Sequence, residues 1–310
     1  MPELPDVVLY IEALKTRILG QRLEHLRLIS PFVLRSVDPP IDSIVGLTVR
    51  DVFRSGKRIV MAFDASTSSG PAPSTSSGPG DLFLVLHLMI AGRLRWREPQ
   101  QKPGVGSKLL LASLVMSNGT LLFTEASSRK RASMQLVRGA AALQGIDRGG
   151  IEPLEATVDA FREALTRENH TLKRGLTDPR LFSGIGNAYS DEILHAARLS
   201  PLKRTRSLSN EEVERLHVAT RETLLLWIER LRQELSGSFP EKVTAFRDGM
   251  AVHGRFRQPC PVCGAPVQRI VYAANECNYC AKCQTGGRLL ADRSLSRLLK
   301  DDWPKSIDDI

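Results

Sequence analysis

Cysteine is the residue type whose spacing most clearly predicts chemistry in this chain. All five cysteines lie between Cys260 and Cys283, and four of them form two Cys-x-x-Cys pairs, Cys260 with Cys263 and Cys280 with Cys283. Each pair can turn two thiolates toward one point, and two pairs complete the tetrahedral four-sulfur shell that suits Zn²⁺. The spacing therefore predicts one structural zinc ion, because a closed four-thiolate shell leaves no coordination position open for a reaction.

The fifth thiol, Cys277, lies outside the two pairs but has Cys-x-x-Cys spacing with Cys280. We expect a buried spare thiol, since cysteine behaves as a small apolar residue in a protein core. Ligand exchange with the zinc site is the alternative. A disulfide framework is excluded, because an odd number of cysteines confined to one segment is not the dispersed, paired arrangement of such proteins.

The elements that must position these residues change in character along the chain. Residues 5–19 predict one amphipathic helix, and residues 21–140 contain short apolar runs separated by turn signals, as is typical of a β-sandwich. A flexible Ser/Gly/Pro loop is expected at 65–80. From about residue 150 the pattern is helical, with Thr157 and Ser209 as N-caps and Asp178-Pro179 as the start of a helix that ends at Gly184.

The predicted fold class is therefore α+β and multi-domain. The expected domains are 1–145 (a helix with a catalytic β-sandwich), 146–250 (a helical domain), 251–288 (a zinc finger) and 289–310 (a C-terminal helical extension).

Composition narrows the class of protein. The 310 residues carry 43 Lys and Arg against 34 Asp and Glu, a net charge of +9, with 42% hydrophobic and 25% charged residues. These proportions are ordinary for a soluble globular protein, and they exclude wholesale disorder and collagen-like or coiled-coil architecture. Because there is no apolar run of membrane-spanning length and no secretory-signal pattern at the N-terminus, we expect a cytoplasmic protein. Its excess positive charge suits a polyanionic partner.

Four features follow one another in a distinctive order: the MPELPDV terminus, Lys57 after Gly56, the segment FSGIGNAYSDEIL at 182–194, and the four-cysteine finger. In that order they resemble the formamidopyrimidine-DNA glycosylase and endonuclease VIII family of base-excision repair enzymes, over roughly residues 1–288. The resemblance implies a glycosylase that flips a damaged base out of the duplex, removes it and cuts the strand at the abasic site by β- and δ-elimination. It also implies that the helical domain is a helix–two-turn–helix DNA-binding domain.

The resemblance assigns the chemistry to three residues. Removal of Met1 would expose Pro2 as a secondary amine, and an N-terminal amine with a pKa near about 8 is far more nucleophilic at neutral pH than a lysine. Its attack on C1′ of the deoxyribose gives an iminium ion, which makes the 2′ proton acidic. Glu3 is then the general acid and base, with Asp6 in support, and Lys57 contacts the DNA backbone and assists departure of the 3′ phosphate.

The DNA contacts are expected at the turn before Asn187 and among the basic residues. Glycines in that turn allow the backbone to approach a phosphate closely, and the helix that follows offers its N–H groups. The expected DNA-binding residues are Asn187, Lys173, Arg129, Arg131, Arg255 and Arg269.

Three positions depart from the family pattern and bear on the substrate. Ile90 stands where the family has the methionine that fills the gap left by the flipped base, and residues 125–131 lack the family's arginine and aromatic wedge. Asn275 replaces an arginine that grips a phosphate, a contact that Arg269 or Arg257 could supply. We therefore expect a divergent member with a changed or relaxed lesion preference.

Two other functions stay open. A non-catalytic protein that binds damaged or abasic DNA would use the same helical and finger platforms. A zinc-ribbon protein of RNA metabolism would explain the charge and the cysteines but not the N-terminus. The favoured hypothesis is a monomeric enzyme that acts on damaged, double-stranded DNA in association with the bacterial nucleoid, with one structural Zn²⁺ and no membrane partner.

Overall fold

The computed structural model describes residues 1–64, 80–101, 104, 106, 108–244, 247–272, 275–302 and 304–309. The chain forms two units, one of Met1–Arg148 with Ile228–Val243 and the other of Gly149–Trp227 with Thr244–Ile310. The four-part division expected from the sequence stays a prediction. The Ser/Gly/Pro segment lies, apart from Gly80, outside the described residues. No helix within these ranges is long and apolar enough to cross a membrane.

The first unit begins with helix α1, Leu4–Ile18, followed by strands and a short helix. The strands are β1 (Leu23–Leu28), β2 (Val49–Ser55), β3 (Arg58–Phe63), β4 (Leu82–His87), β5 (Gly92–Arg97), β6 (Leu110–Met116), β7 (Gly119–Glu125) and β8 (Ser133–Arg138). Helix α2 spans Gly139–Gln144. Two four-stranded antiparallel sheets form, with the orders β1-β6-β7-β5 and β2-β3-β4-β8.

One apolar core joins these two sheets and α1. Side chains from both sheets are completely buried in it, including Met61 and Leu84 from one sheet and Leu121 and Phe123 from the other. Tyr10 contributes from α1. Removing such side chains from water stabilises the fold by about 1.5–3 kcal/mol each. The β-sandwich predicted from the alternating pattern is thereby confirmed.

The connections at one edge of the sandwich matter most for the site. Strand β3 runs beside β4, with Arg58 opposite His87, so that the Gly56-Lys57 hairpin turn lies at the edge where β4 ends. The turn at 88–91 leads from β4 into β5, and the segment 126–132 leads from β7 into β8. Gly92 pairs with Glu125 and His87 with Ser133, so these two connections lie next to each other.

The second unit contains the remaining helices and a hairpin. The helices are α3 (Val158–Thr166), α4 (Leu172–Thr177), α5 (Asn187–Ala196), α6 (Asn210–Leu235, which belongs to the first unit from Ile228 onward), α7 (Ala281–Thr285) and α8 (Arg293–Leu299). Strands β9 (Gln268–Tyr272) and β10 (Asn275–Tyr279) form an antiparallel hairpin.

Local capping signals correctly predicted two helix starts. The Thr157 hydroxyl accepts a hydrogen bond from the Ala160 N–H at 3.2 Å. The Ser209 N–H donates to the Glu212 carboxylate at 2.9 Å, while the Glu212 N–H donates to the Ser209 hydroxyl at 3.2 Å. These are the reciprocal bonds of a capping box, which satisfy N–H groups that a helix cannot satisfy itself.

The helix expected to begin at Asp178-Pro179 does not form. Helix α4 has already ended at Thr177, and Asp178 adopts an extended conformation, as a residue before proline prefers. The Asp178 carboxylate accepts from the Arg180 backbone N–H at 2.9 Å and from its guanidinium at 2.7 Å. The carboxylate therefore stabilises a turn in which helical hydrogen bonds are not made.

The C-terminal extension packs on the β9–β10 hairpin. Leu289, Leu290 and Ile307 form a small core with Ile270 and Tyr279. The Leu290 N–H donates to the Tyr279 hydroxyl at 2.8 Å, and the buried Asp292 carboxylate accepts the Val271 N–H at 2.9 Å. The extension thus stabilises the finger through its hairpin.

Candidate functional site

The N-terminus of α1 places two carboxylates beside the end of the chain. Glu3 is the N-cap residue, and its backbone N–H donates to the Asp6 carboxylate at 2.8 Å. Pro2 is buried, and Glu3 and Asp6 are only 2% and 3% exposed. Carboxylates at this position are stabilised by the partial positive charge of the helix N-terminus. The structure therefore holds acidic groups close to the chain's own amine in a largely water-excluded place.

Charged groups from three elements act on that amine. Burial lowers the pKa of the Met1 amine, Glu3 and Asp6 raise it, and Arg93 and Lys57 lower it, with burial the largest effect. The charges of Glu3 and Lys57, which the family resemblance assigns to one active site, therefore both act at the N-terminus. Arg93, on β5, was not predicted. No local pattern marks it, because its position depends on how β5 packs in the sandwich.

His87 is a further residue that sequence reasoning did not single out. It ends β4, and its Nδ1 accepts the Met89 N–H at 3.0 Å. Burial, followed by the charges of Arg58 and Lys57, lowers the pKa of His87 to about 4. The ring is therefore neutral at physiological pH and carries its proton on Nε2, which makes Nε2–H a donor beside Lys57.

The segment between β7 and β8 has its shape fixed by one buried carboxylate. Glu125 is 1% exposed, and it accepts the Arg131 N–H at 2.9 Å and the Ala132 N–H at 3.1 Å. Arg129 and Arg131 are exposed on this segment. Two cations are thus held at the same sandwich edge as Lys57 and are available to a polyanion.

The helix–two-turn–helix segment is held together by a buried ion pair. Lys173, on α4, donates from Nζ to the Asn187 carbonyl and to the Asp191 carboxylate, both at 2.6 Å. The side chains of Lys173 and Asp191 are 12% and 0% exposed. Asn187, the first residue of α5, donates from its side-chain amide to the Glu276 carbonyl at 2.9 Å. Lys173 and Asn187 therefore join α4, α5 and the finger hairpin.

Two neighbouring carboxylates of α5 hold the loop that precedes the finger. Asp191 also accepts from His253 Nδ1 at 2.7 Å. Glu192 accepts the backbone N–H groups of Ala251, Val252 and His253 at 2.7–2.9 Å. Burial raises the pKa of Glu192, although the three N–H donors oppose this effect. The Asp-Glu pair of the sequence segment thus has a structural function that no local pattern predicted.

Arg255 and Arg269, the two finger arginines expected to bind DNA, differ in how many of their hydrogen-bond donors are already used within the protein. The Arg255 guanidinium donates to the Met250 carbonyl at 2.9 Å, the Gln258 side chain at 3.0 Å and the Pro259 carbonyl at 3.2 Å. Arg269, on β9, has a side chain that is 44% exposed and forms a long ion pair with Glu276 at 3.6 Å. Arg255 therefore stabilises the finger through hydrogen bonds within it, whereas Arg269 has donors that are exposed on the surface of the finger. The side chain of Asn275 lies outside what the structure describes.

The four cysteines of the two Cys-x-x-Cys pairs form one cluster. Their Sγ atoms all lie within 4.8 Å of one another. Cys263 and Cys280 are 3.4 Å apart and Cys260 and Cys283 are 3.9 Å apart, between sulfur atoms. Tetrahedral zinc with Zn–S bonds of about 2.3 Å requires sulfur atoms about 3.8 Å apart, so the donor set fits Zn²⁺.

Two residues near this cluster define its surroundings. His195 Nε2 lies 3.3 Å from Cys260 Sγ, within hydrogen-bond distance of one sulfur of the cluster. Such outer-shell bonds orient metal ligands. Cys277 is buried and is not part of the cluster. Its expected status as a spare buried thiol is confirmed.

The predicted site residues are divided between the two units. Pro2, Glu3, Lys57, Arg129 and Arg131 belong to the first unit. The second unit holds the other expected DNA-binding residues and the metal ligands, namely Lys173, Asn187, Arg255, Arg269, Cys260, Cys263, Cys280 and Cys283.

Comparison with known proteins identifies two regions of the chain. A model of the formamidopyrimidine-DNA glycosylase N-terminal domain matches residues 1–132, and one of the formamidopyrimidine-DNA glycosylase H2TH domain matches residues 150–236. A formamidopyrimidine-DNA glycosylase of Thermus thermophilus is 32% identical over 304 residues, which cover 93% of this chain and 100% of that protein. An uncharacterized formamidopyrimidine-DNA glycosylase-like protein of Mycobacterium tuberculosis is 38% identical over 151 residues, 49% of this chain and 94% of that protein.

Solved structures have the same fold. The crystal structure of the MutM (Fpg) protein from Thermus thermophilus superposes with a TM-score of 0.70 at 32% identity and covers 91% of this chain and 98% of that one. The Lactococcus lactis Fpg in complex with abasic-site DNA gives a TM-score of 0.74 at 23% identity, with 91% and 99% coverage.

A β-sandwich with an N-terminal helix, a helix–two-turn–helix domain and a four-cysteine cluster together define a class of DNA glycosylases. Within that class, the chain belongs to the formamidopyrimidine-DNA glycosylase family.

Proposed function

We propose that this protein is a DNA glycosylase that excises damaged bases and also cleaves the strand at the abasic site through an iminium intermediate on Pro2. The observation that carries the proposal is the buried Pro2 beside the buried carboxylates of Glu3 and Asp6 at the start of α1. Membership of the family supports DNA as the substrate. This arrangement supports the lyase step, because removal of Met1 would expose the Pro2 amine next to a carboxylate that can transfer protons.

The covalent steps start with removal of Met1, which makes Pro2 the N-terminal residue. The Pro2 nitrogen attacks C1′ of the damaged nucleoside, the glycosidic bond breaks, and the base leaves with a proton. Opening of the sugar ring gives an iminium between the nitrogen and C1′. Loss of a 2′ proton then expels the 3′ phosphate, a second elimination expels the 5′ phosphate, and water releases Pro2 from the sugar fragment.

Glu3 is proposed to move the protons in these steps. It protonates the ring oxygen as the sugar opens and accepts the 2′ proton afterwards. Lys57 is proposed to contact the phosphate that departs, and its position at a hairpin turn next to the neutral His87 supports a phosphate-binding role. Asp6, bonded to the Glu3 backbone, keeps Glu3 in place.

DNA binding is proposed to involve both units. The exposed side chains of Arg129, Arg131 and Arg269 suit salt-dependent contacts with phosphates. Lys173, Asn187 and Arg255 already bond to the protein, so they are proposed to hold the phosphate-binding backbone in shape as well as to face DNA. Zn²⁺ held by the four cysteines would stabilise the finger and take no part in the reaction.

We further propose that the enzyme acts as a monomer on damaged, double-stranded DNA in the bacterial cytoplasm. Structural relatives from Lactococcus lactis were solved with Fapy-dG DNA and with abasic-site DNA. Duplexes that carry these two lesions are therefore the first substrates to test.

The experiment is borohydride trapping on a duplex with one abasic site. The native protein should form a covalent adduct, and Glu3→Gln should form it about 10²–10⁴-fold more slowly, the factor that general acid–base catalysis typically contributes. Pro2→Gly, which replaces the secondary amine of the nucleophile by a primary one, should also form it more slowly. Glu24→Gln, at an exposed position on β1, is the matched control and should behave as native. Absence of an adduct with native protein that still binds the duplex would favour the non-catalytic alternative.

A further inference from the structure

The imidazole ring of His195 brings a polar side chain from helix α5 to the four-cysteine cluster. Its Nε2 lies 3.3 Å from Cys260 Sγ, and the two residues are only 6% and 2% exposed. Cys263, by contrast, is exposed and Cys283 is half-buried. Because water has little access to the Cys260 sulfur, a protein group must supply the hydrogen bonds that this sulfur accepts.

The direction of the bond between His195 and Cys260 follows from the chemistry of a metal ligand. Cysteine binds zinc as a thiolate, and a thiolate has no proton to donate. The ring must therefore be the donor, so Nε2 is assigned the proton. Four thiolates carry more negative charge than Zn²⁺ neutralises, and a buried charge is costly unless donors stabilise it. An N–H directed at the buried sulfur offsets part of that cost.

A second buried side chain bonds to the other cysteine pair in a different way. Gln284, on α7, accepts the Cys280 backbone N–H at 2.8 Å and donates to the Leu199 carbonyl at 2.9 Å. The Leu199 N–H in turn donates to the Leu194 carbonyl at 3.0 Å, at the end of α5. Gln284 therefore holds the backbone of a cysteine in the cluster, whereas His195 bonds to a sulfur atom.

We propose that His195 is a positioning residue of the metal centre: its Nε2–H donates to the Cys260 thiolate, orients that sulfur and reduces its negative charge, and thereby strengthens the binding of the metal. The proposal rests on zinc binding by the four cysteines and is independent of the reaction at Pro2. Its physical basis is the general effect of outer-shell donors, which fix the orientation of metal ligands and tune the metal site.

The first test compares the zinc affinity of two variants by competition with a chromophoric chelator. His195→Leu removes the donor, and the affinity should fall about 10–100-fold, as is typical when an outer-shell partner is lost. His195→Gln keeps an N–H donor on a side chain of similar reach, so it should retain most of the native affinity. This rescue would show that the hydrogen bond, rather than the ring, is what the metal centre requires.

His217 offers a matched control in the same unit. It is 5% exposed, and its Nε2 lies 2.8 Å from the Ala156 carbonyl, to which it donates, and not from a sulfur. His217→Leu thus removes a donor from a histidine that is equally buried. It should retain the native zinc affinity, and a loss as large as in His195→Leu would show that general destabilisation explains both.

The second test is a spectroscopic signature that packing alone does not change. In protein loaded with Co²⁺, the sulfur-to-cobalt charge-transfer band should move to longer wavelength in His195→Leu, because a thiolate that accepts fewer hydrogen bonds gives up an electron more readily. His195→Gln should restore the native band. Gln284→Leu, which changes a backbone contact of the cluster and no bond to sulfur, should leave the band at the native wavelength.

A measurement on the native sequence covers the case in which His195→Leu does not fold. In protein loaded with an NMR-active cadmium isotope, the His195 Hε2 proton should show a scalar coupling to the metal across the hydrogen bond to sulfur. Absence of this coupling, or native zinc affinity and an unmoved cobalt band in His195→Leu, would overturn the role of His195.

The outcomes also distinguish His195 from the metal site and from the reaction. Native protein that takes up neither zinc nor cobalt would overturn the metal site together with the role of His195. Native protein that binds zinc and shows every expected effect of His195, yet is never trapped on abasic DNA, would support the role of His195 and overturn only the proposed lyase function.

Discussion

Replacement of Asp191 by Asn should strongly destabilise the second unit. The Asp191 side chain is fully buried and accepts from Lys173 Nζ at 2.6 Å and from His253 Nδ1 at 2.7 Å. Its pKa is lowered because these two partners outweigh the effect of burial. An Asn at this position leaves the Lys173 ammonium buried without a counter-charge.

The magnitude follows from the cost of a broken buried pair. Removing one partner typically costs about 3–5 kcal/mol, since the other charge stays buried and unpaired. For a domain of this size, each kcal/mol lowers the melting temperature by about 2–4 °C, so the transition of the second unit should fall by about 6–20 °C. Thermal melts followed by circular dichroism, together with the zinc content of the folded protein, would measure this decrease in the melting temperature.

A double-mutant cycle separates the interaction energy of the Lys173–Asp191 pair from other destabilising effects of the two substitutions. Lys173→Met combined with Asp191→Asn should lose about 1–3 kcal/mol less than the sum of the two single variants, because the unpaired charge is gone. Asp159→Asn, at an exposed position of α3, is the matched control and should stay within about 0.5 kcal/mol of native. A melt of Asp191→Asn within about 2 °C of native, or strictly additive losses, would refute the reasoning.

Two further predictions concern pH and metal. The folded-state pKa of His87 is about 4, below its ordinary value of 6.5, so its contribution to stability is complete above pH 6.5 and is lost as the pH falls toward 4. Denaturant titrations should show that the free energy of unfolding of the native protein falls by up to about 3 kcal/mol between pH 6.5 and pH 4, and that it falls by less in His87→Gln. An equal dependence of the unfolding free energy on pH in the two proteins would contradict this prediction. Native mass spectrometry should find one zinc per chain in native protein and in Cys277→Ser, but not in Cys263→Ser, and a chelator should unfold the finger. Equal zinc in both variants would show that the ligand set is wrong.

Short-range patterns predicted most of the elements and the four-cysteine cluster. The Cys-x-x-Cys pairs predicted the cluster because three-residue spacing alone brings two thiolates together. Thr157 and the Ser209–Glu212 pair predicted helix starts, since a cap and its partners lie within one turn of each other. The helix start predicted at Asp178 was wrong, because the Asp178 carboxylate can stabilise a turn as well as a helix N-terminus. Local sequence does not decide between these two structures.

The sequence by itself determined the class of fold, the four cysteines of the cluster and, through an ordered set of motifs, the family. Only the tertiary structure decided which charges act on the N-terminal amine, how Lys173 is bonded, and that the buried ring of His87 lies beside the Lys57 turn. The physical reason is that pKa values and ion pairs depend on burial and on distances across the fold. Arg93 and Glu3 are 90 residues apart in the chain, and sandwich packing alone brings their charges to the same amine.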